Sequence, residues 1–174
     1  MKLVVISNEK PHADEIAVLD YCIGHPAFAH FHLRRKPVTT EQWSVWQDYT
    51  QHIVVSQELQ CPFEIRKHGK SNDDFSRSAH TILELKKFQN QAVYISPVFE
   101  SISKAGYQNI KLLNELSQAK SIPENAIALG GVSIDNLEVL KKLGFKKAAV
   151  LGAVWKSDDA LESIKKLLDK AKTL

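Results

Sequence analysis

Apolar runs of strand length alternate with segments of helical period along most of the chain, and this alternation predicts a parallel sheet with helical crossovers. The first run lies inside Met1-Lys2-Leu3-Val4-Val5-Ile6-Ser7-Asn8 and predicts a buried strand ending at Ser7. A helix from near Ala13 places Ile16, Leu19 and Ile23 on one side before Gly24 and Pro26 stop it. Strand two reads Phe28 to Leu33, and Thr39 or Thr40 caps a helix whose Trp43, Trp46 and Tyr49 form an aromatic packing face. Regular units return after Thr81. They are a helix to about Gln89, strand Ala92 to Ser96, a helix Ile110 to Ala119, strand Ala126 to Leu129, a helix Ile134 to Leu143, strand Ala148 to Leu151, and a charged final helix.

Between His52 and His80 the pattern is irregular. Three strand candidates, Ile53 to Ser56, Phe63 to Lys67 and Phe75 to Ala79, are separated by gaps too short for full helices. Eight strand candidates in all predict a single α/β domain over residues 1–174, a (β/α)8 TIM barrel shortened by reduced or missing helices after strands 3 and 4. Missing helices would bare the outer faces of those strands, which predicts a homodimer whose interface covers residues 53–80.

In such barrels function collects on the loops that leave the strand C-termini. Read in turn, those ends carry Ser7 and Asn8; His32, Arg34, Arg35 and Lys36; Ser56 and Gln57; His68 and Lys70; Ser78 and His80; Ser101, Ser103 and Lys104; Gly130 and Gly131; and Gly152. Cations, hydroxyls and glycines therefore share one face. The stretch Ser96 to Tyr107 reads as a loop suited to an anion, or as a long polar turn. The Gly130-Gly131 pair reads as a phosphate-holding turn or simply a tight one.

Composition narrows the function classes. With 44% hydrophobic and 25% charged residues, and 23 Lys and Arg against 20 Asp and Glu, the net charge of +3 fits a small anionic ligand. No aromatic-interleaved basic stripe points to nucleic acid. The N-terminal apolar run is too short for a signal segment and no stretch is long enough to span a membrane. Cys22 and Cys61 match no metal or redox spacing, so they read as reduced thiols of a cytoplasmic protein.

Several stretches resemble the family of thiamine phosphate synthases and the related TenI thiazole tautomerases. His32-Leu33-Arg34-Arg35-Lys36 is similar to the family's Gln-Leu-Arg-Glu-Lys, and Ser96 through Lys104 to its Gly-Pro-Val-Phe-Pro-Thr-x-Thr-Lys. Ser78-Ala79-His80 with Glu84 resembles its Ser-x-His before an acidic helix, and Gly130-Gly131-Val132 its Gly-Gly-Ile/Val. The resemblance implies a (β/α)8 barrel in which hydroxymethylpyrimidine pyrophosphate ionises and the nitrogen of thiazole phosphate attacks the resulting cation. It further implies that Arg34, Lys36 and Lys104 neutralise the pyrophosphate, that Ser78 holds it, and that Ser101 and Ser103 face the thiazole. Gly131 and Gly152 would then cradle the thiazole phosphate, and His32 would line the pyrimidine side.

The family's synthases use Mg2+, held by carboxylates after the third and fourth strands. Here the third strand ends in Val55-Ser56-Gln57, without a carboxylate. Asn72-Asp73-Asp74 offers metal ligands at Asp73 and Asp74, or a turn into strand five. His68 or Lys70 could offset missing metal charge. The tautomerases need no cofactor, and the position of their acid and base histidine resembles His80. A non-catalytic paralogue that binds a thiamine precursor is the third reading.

Overall fold

A strand buried on both faces needs apolar residues at nearly every position, and the runs at both ends of the chain supply them. In the computed structural model, which describes residues 1–34, 40–56, 59, 61–62, 64–100 and 110–174, these runs form a closed barrel of eight parallel strands in sequence order. The strands are β1 (Lys2–Ile6), β2 (Phe28–Leu33), β3 (Ile53–Ser56), β4 (Arg66–His68), β5 (Ser76–Ala79), β6 (Ala92–Ile95), β7 (Ala126–Ala128) and β8 (Lys147–Val150). Closure comes from β1 pairing with β8. The helices are α1 (Glu15–Cys22), α2 (Thr40–Trp46), α3 (Ile82–Lys87), α4 (Ile110–Gln118), α5 (Leu137–Leu143), α6 (Gly152–Trp155) and α7 (Ala160–Lys172). The expected residues Arg35, Lys36, Gln57, Phe63, Ser101, Ser103 and Lys104 lie outside the described residues.

Outward strand residues such as Leu3, Val5, Phe31, Val55, Val93 and Val150 join the helices in one large buried cluster. Inside the barrel a smaller set, Val4, Ile6, Tyr94, Ile127 and Ala149, packs separately. Trp43 and Trp46 are buried as expected, with Trp46 5.6 Å from the Phe31 ring. The buried face of α1 differs from the expectation, running through Val18, Leu19 and Cys22. Burial pushes the Cys22 thiol up to about 12, which leaves it unreactive.

The shortened middle is present. The seven residues between β4 and β5 form only turns and bends, and no helix is described between β3 and β4. Strand β4 begins later than expected, at Arg66, because its inward positions are the polar Arg66 and His68 and not an apolar pair. Among the described residues of this stretch no bared apolar patch is found, so they lend the expected interface over residues 53–80 no support. Ile53 and Val55 are buried in the main cluster, the outward residue of β4 is the exposed Lys67, and the Arg77 guanidinium of β5 lies over the Phe88 ring at 3.8 Å. The exposed large hydrophobic residues among those described, Val45, Leu83, Ile110, Ile134 and Val139, all fall outside that range. No helix among the described residues is long and apolar enough to cross a membrane.

Candidate active site

The strand C-termini bring one polar mouth together. Strand β5 delivers Ser78 and then His80, both exposed. The next helix fixes His80 from both sides of its own N-terminus. Thr81 Oγ1 accepts the Glu84 N–H at 3.1 Å, and Glu84 Oε2 accepts the His80 N–H at 2.7 Å. This reciprocal cap is the local reason for an acidic residue after the Ser-x-His motif. The His80 ring is oriented by the Ser96 carbonyl, 2.9 Å from Nδ1. A carbonyl only accepts, so Nδ1 carries a proton, and in the neutral tautomer this selects, the lone pair is on Nε2.

On the opposite side Arg34 follows β2, with its N–H donating to the buried Ser7 hydroxyl at 2.9 Å. Beyond β7 the chain turns at Gly130 and Gly131, with φ of +97° and +63°. This turn clasps the segment after β6. The Val98 N–H donates to the Leu129 carbonyl at 2.9 Å and the Phe99 N–H to the Gly130 carbonyl at 3.1 Å. The pair is thus a close-approach turn, and it fixes the start of the Ser96 loop. Gly152 opens α6, which is tied to β1 by the Trp155 indole N–H donating to the Ile6 carbonyl at 2.6 Å. The first N–H groups of a helix have no partner within it, so the Gly152 turn offers donors at the mouth.

Below the mouth lies a layer the motifs did not reveal. Inward positions of β2, β4, β5 and β6 carry His30, His32, Arg66, His68, Ser76 and Tyr94. His30 Nε2 is 2.8 Å from the Tyr94 hydroxyl, and His32 Nε2 is 3.2 Å from Ser56 Oγ. His68 reaches two hydroxyls, with Nδ1 3.0 Å from Ser76 Oγ and Nε2 3.2 Å from Ser78 Oγ. The His32 and His68 ring centres are 5.0 Å apart. Burial, with help from Arg66 and Lys147, pushes His30 down to about 3. His32 is held well below the usual histidine range by burial and by His68. His68 is lowered by burial, against the pull of Asp74. The interior imidazoles are therefore neutral near pH 7. Their signal in the sequence is the alternation His30-x-His32, Arg66-x-His68 and Ser76-x-Ser78, in which polar residues recur at every second position.

Asp73 and Asp74 do not join this mouth, a correction to their reading as metal ligands. They precede β5 and so lie at the strand N-terminal end. There Asp74 Oδ2 accepts the Ser71 N–H at 2.7 Å, and Gln91, just before β6, donates to the Asp74 carbonyl at 2.6 Å. They brace a turn. Mg2+ favours carboxylate and phosphate oxygens in an octahedral shell. Around the mouth the described donors are imidazole nitrogens, hydroxyls and the Glu84 carboxylate that caps His80, and among the described residues no three His, Cys, Asp or Glu side chains gather to hold a metal. This donor set does not fit a protein-held Mg2+.

No family model matches the chain. Over 98 residues it is 33% identical to a thiamine-phosphate synthase of Prochlorococcus marinus (strain MIT 9313), covering 53% of this chain and 27% of that protein. The chain thus spans well under half the length of the curated relatives it matches. A thiamine phosphate pyrophosphorylase from Bacteroides thetaiotaomicron superposes with a TM-score of 0.69 at 25% identity, covering 100% of this chain and 98% of that one. The corresponding protein of Pyrococcus furiosus gives 0.70 at 17% identity, covering 99% and 96%, a likeness of fold. By sequence over about half its length and by structure over all of it, this eight-stranded barrel is similar to thiamine phosphate synthases and pyrophosphorylases.

Proposed function

We propose that the protein is a transferase of the thiamine phosphate synthase type, joining hydroxymethylpyrimidine diphosphate to thiazole phosphate with release of diphosphate. The observation that supports this most is the end-to-end likeness to the Bacteroides thetaiotaomicron pyrophosphorylase, with Arg34, Ser78 and the Gly131 and Gly152 turns all at the strand C-terminal end. As the pyrimidine–oxygen bond breaks, negative charge builds on the leaving diphosphate, and groups already oriented toward it lower the barrier. Arg34 supplies a fixed charge there and Ser78 a hydroxyl donor. Lys36 and Lys104 add charge in this reading and Ser101 and Ser103 face the thiazole, all outside the described residues. His32 borders the pyrimidine, and the backbone at Gly131 and Gly152 receives the thiazole phosphate. The family's metal finds no matching ligand set among the described residues.

The test incubates the protein with both substrates, with and without added Mg2+. Thiamine phosphate is the expected product, and Arg34→Ala is expected to lower kcat/KM about 100-fold, the usual cost of removing one charge from such a site. Failure to form thiamine phosphate in either condition overturns the synthase reading.

His80 supports a second reading. Its Nδ1 proton is committed to the Ser96 carbonyl and its Nε2 lone pair is free to take and return a proton in a thiazole tautomerisation. Here the substrate is the thiazole carboxylate phosphate tautomer, and His80→Ala is expected to abolish its conversion. Binding of thiazole phosphate with neither reaction would instead indicate a protein that holds a thiamine precursor without turnover.

A further inference from the structure

An imidazole with a hydroxyl at each nitrogen is placed differently from one with a single partner. A neutral ring needs one of the two hydroxyls to donate to it, whereas an imidazolium donates to both oxygens at once. Among the described contacts of the interior histidines, only His68 has this double arrangement, with Ser76 Oγ at 3.0 Å and Ser78 Oγ at 3.2 Å. His30 has one hydroxyl partner. His32 has one as well, and its buried Nδ1 has no partner among the described residues. Protonating His32 would leave a buried N–H unmatched, while protonating His68 would match both of its own.

His68 also stands where charge is needed. Ser78 is exposed at the mouth and Ser76 is fully buried behind it, so the Ser76–His68–Ser78 chain runs from the barrel interior to the surface where a diphosphate would lie. We propose that His68 takes up a proton when a diphosphate binds at Ser78, and that the imidazolium so formed supplies positive charge at a mouth whose described residues gather no ligand set for a divalent metal. The proton comes from solvent, and no covalent bond is made or broken. This rests on the reading of the mouth as a diphosphate site.

The groups facing His68 set the direction. Arg34 after β2 and Arg77 on β5 disfavour its protonation, as burial does, and Asp74 before β5 favours it. His32 on β2 and Tyr94 on β6 are its ring neighbours, at 5.0 Å and 5.2 Å, and both are uncharged near pH 7 because burial lowers the one and raises the other. In the free protein the balance is toward neutral imidazole. A bound diphosphate adds several negative charges beside Ser78 and reverses it. Affinity therefore rises as pH falls between the bound and free pKa of His68, by up to about tenfold per pH unit.

The probe is inorganic pyrophosphate, titrated calorimetrically into the full chain in chelator, in buffers of different ionisation enthalpy. The ligand's own titration is common to all variants, so the readout is the difference in proton uptake. We expect the wild type to bind without Mg2+ and to take up close to one proton more than His68→Gln, which binds about tenfold more weakly near neutral pH. Ser76→Ala, which removes the buried acceptor without touching the ligand, is expected to reduce uptake in a protein that still folds. It keeps the test usable if His68→Gln does not fold. Binding that appears only with Mg2+, or equal proton uptake in wild type and variants, overturns the inference while leaving the diphosphate site standing. No binding with or without Mg2+ overturns that reading of the mouth and the inference with it.

Discussion

Acidification from about pH 7.5 to about pH 4.5 is expected to remove about 3 kcal/mol of stability through His30 alone. The cause is the neutral, hydrogen-bonded imidazole inside the barrel. In the unfolded chain His30 titrates near the ordinary 6.5, whereas in the fold burial pushes it down to about 3. Between those values the unfolded chain holds a proton that the native protein does not, so stability is complete above 6.5 and falls as pH drops toward 3. Each pH unit in that window costs about 1.4 kcal/mol. His32 shifts in the same direction for the same reason, and His68 adds a further contribution of that sign. Domains of ordinary stability hold about 5–15 kcal/mol in total, so the His30 contribution is a sizeable fraction of the whole in mild acid.

The measurement is a set of urea titrations followed by circular dichroism across this range. His30→Gln, which can still meet the Tyr94 hydroxyl but carries no titrating ring, is expected to flatten the dependence by about one proton's worth. A wild-type stability that stays level down to pH 4.5 would mean that the interior histidines are not held neutral, and the charge logic of the mouth would have to be redrawn.

The same interior layer explains which parts of the fold were legible in the sequence. Strands β1, β6, β7 and β8 are buried at nearly every position, so each appears as an apolar run whatever lies inside the barrel. Strands β4 and β5 read Arg-Lys-His and Ser-Arg-Ser-Ala. Their inward positions face other polar groups, so hydrophobicity drew the expected β4 toward Phe63 and away from His68. The site divides along a similar line. Ser78 and His80 follow from their place after a strand and before a capped helix, a local arrangement that a motif preserves. The pairing of His68 with Ser76 and Ser78 comes from register between neighbouring strands, which the local pattern does not specify. Asp73 and Asp74 show the opposite error. A loop between parallel strands runs from one end of the barrel to the other, and the sequence does not say at which end each carboxylate lies.

Gly131→Ala is expected to cost about 3 kcal/mol and to release the wall of the mouth, although the change adds a single methyl group. At φ +63° an L residue is strained, a penalty of about 1–2 kcal/mol by itself. The larger difficulty is space, because an added Cβ would lie 2.1 Å from the Glu100 carbonyl oxygen and 2.7 Å from Phe99 Cβ. Neither neighbour is the free end of a flexible side chain. The turn cannot easily retreat, since the Gly131 carbonyl accepts from Asn136 Nδ2 at 2.8 Å and Asn136 Oδ1 in turn accepts the Ser133 N–H at 3.0 Å. The segment 97–100 must therefore move instead, breaking the bonds from Val98 and Phe99 to the 129–130 turn and unpacking the buried Val98. Gly24→Ala separates strain from clash. Its φ is +86° but an added Cβ meets nothing within 4 Å, so it should carry only the backbone penalty. For a chain of this size each kcal/mol shifts Tm by about 2–4 °C, which puts Gly131→Ala roughly 10 °C below wild type and Gly24→Ala a few degrees below. Amide exchange localises the effect, with the Val98 and Phe99 amides exchanging faster in Gly131→Ala and unchanged in Gly24→Ala. Equal Tm losses in the two variants would show that the glycine pair serves only the bend of its own turn, and that the clasp on the Ser96 loop has another origin.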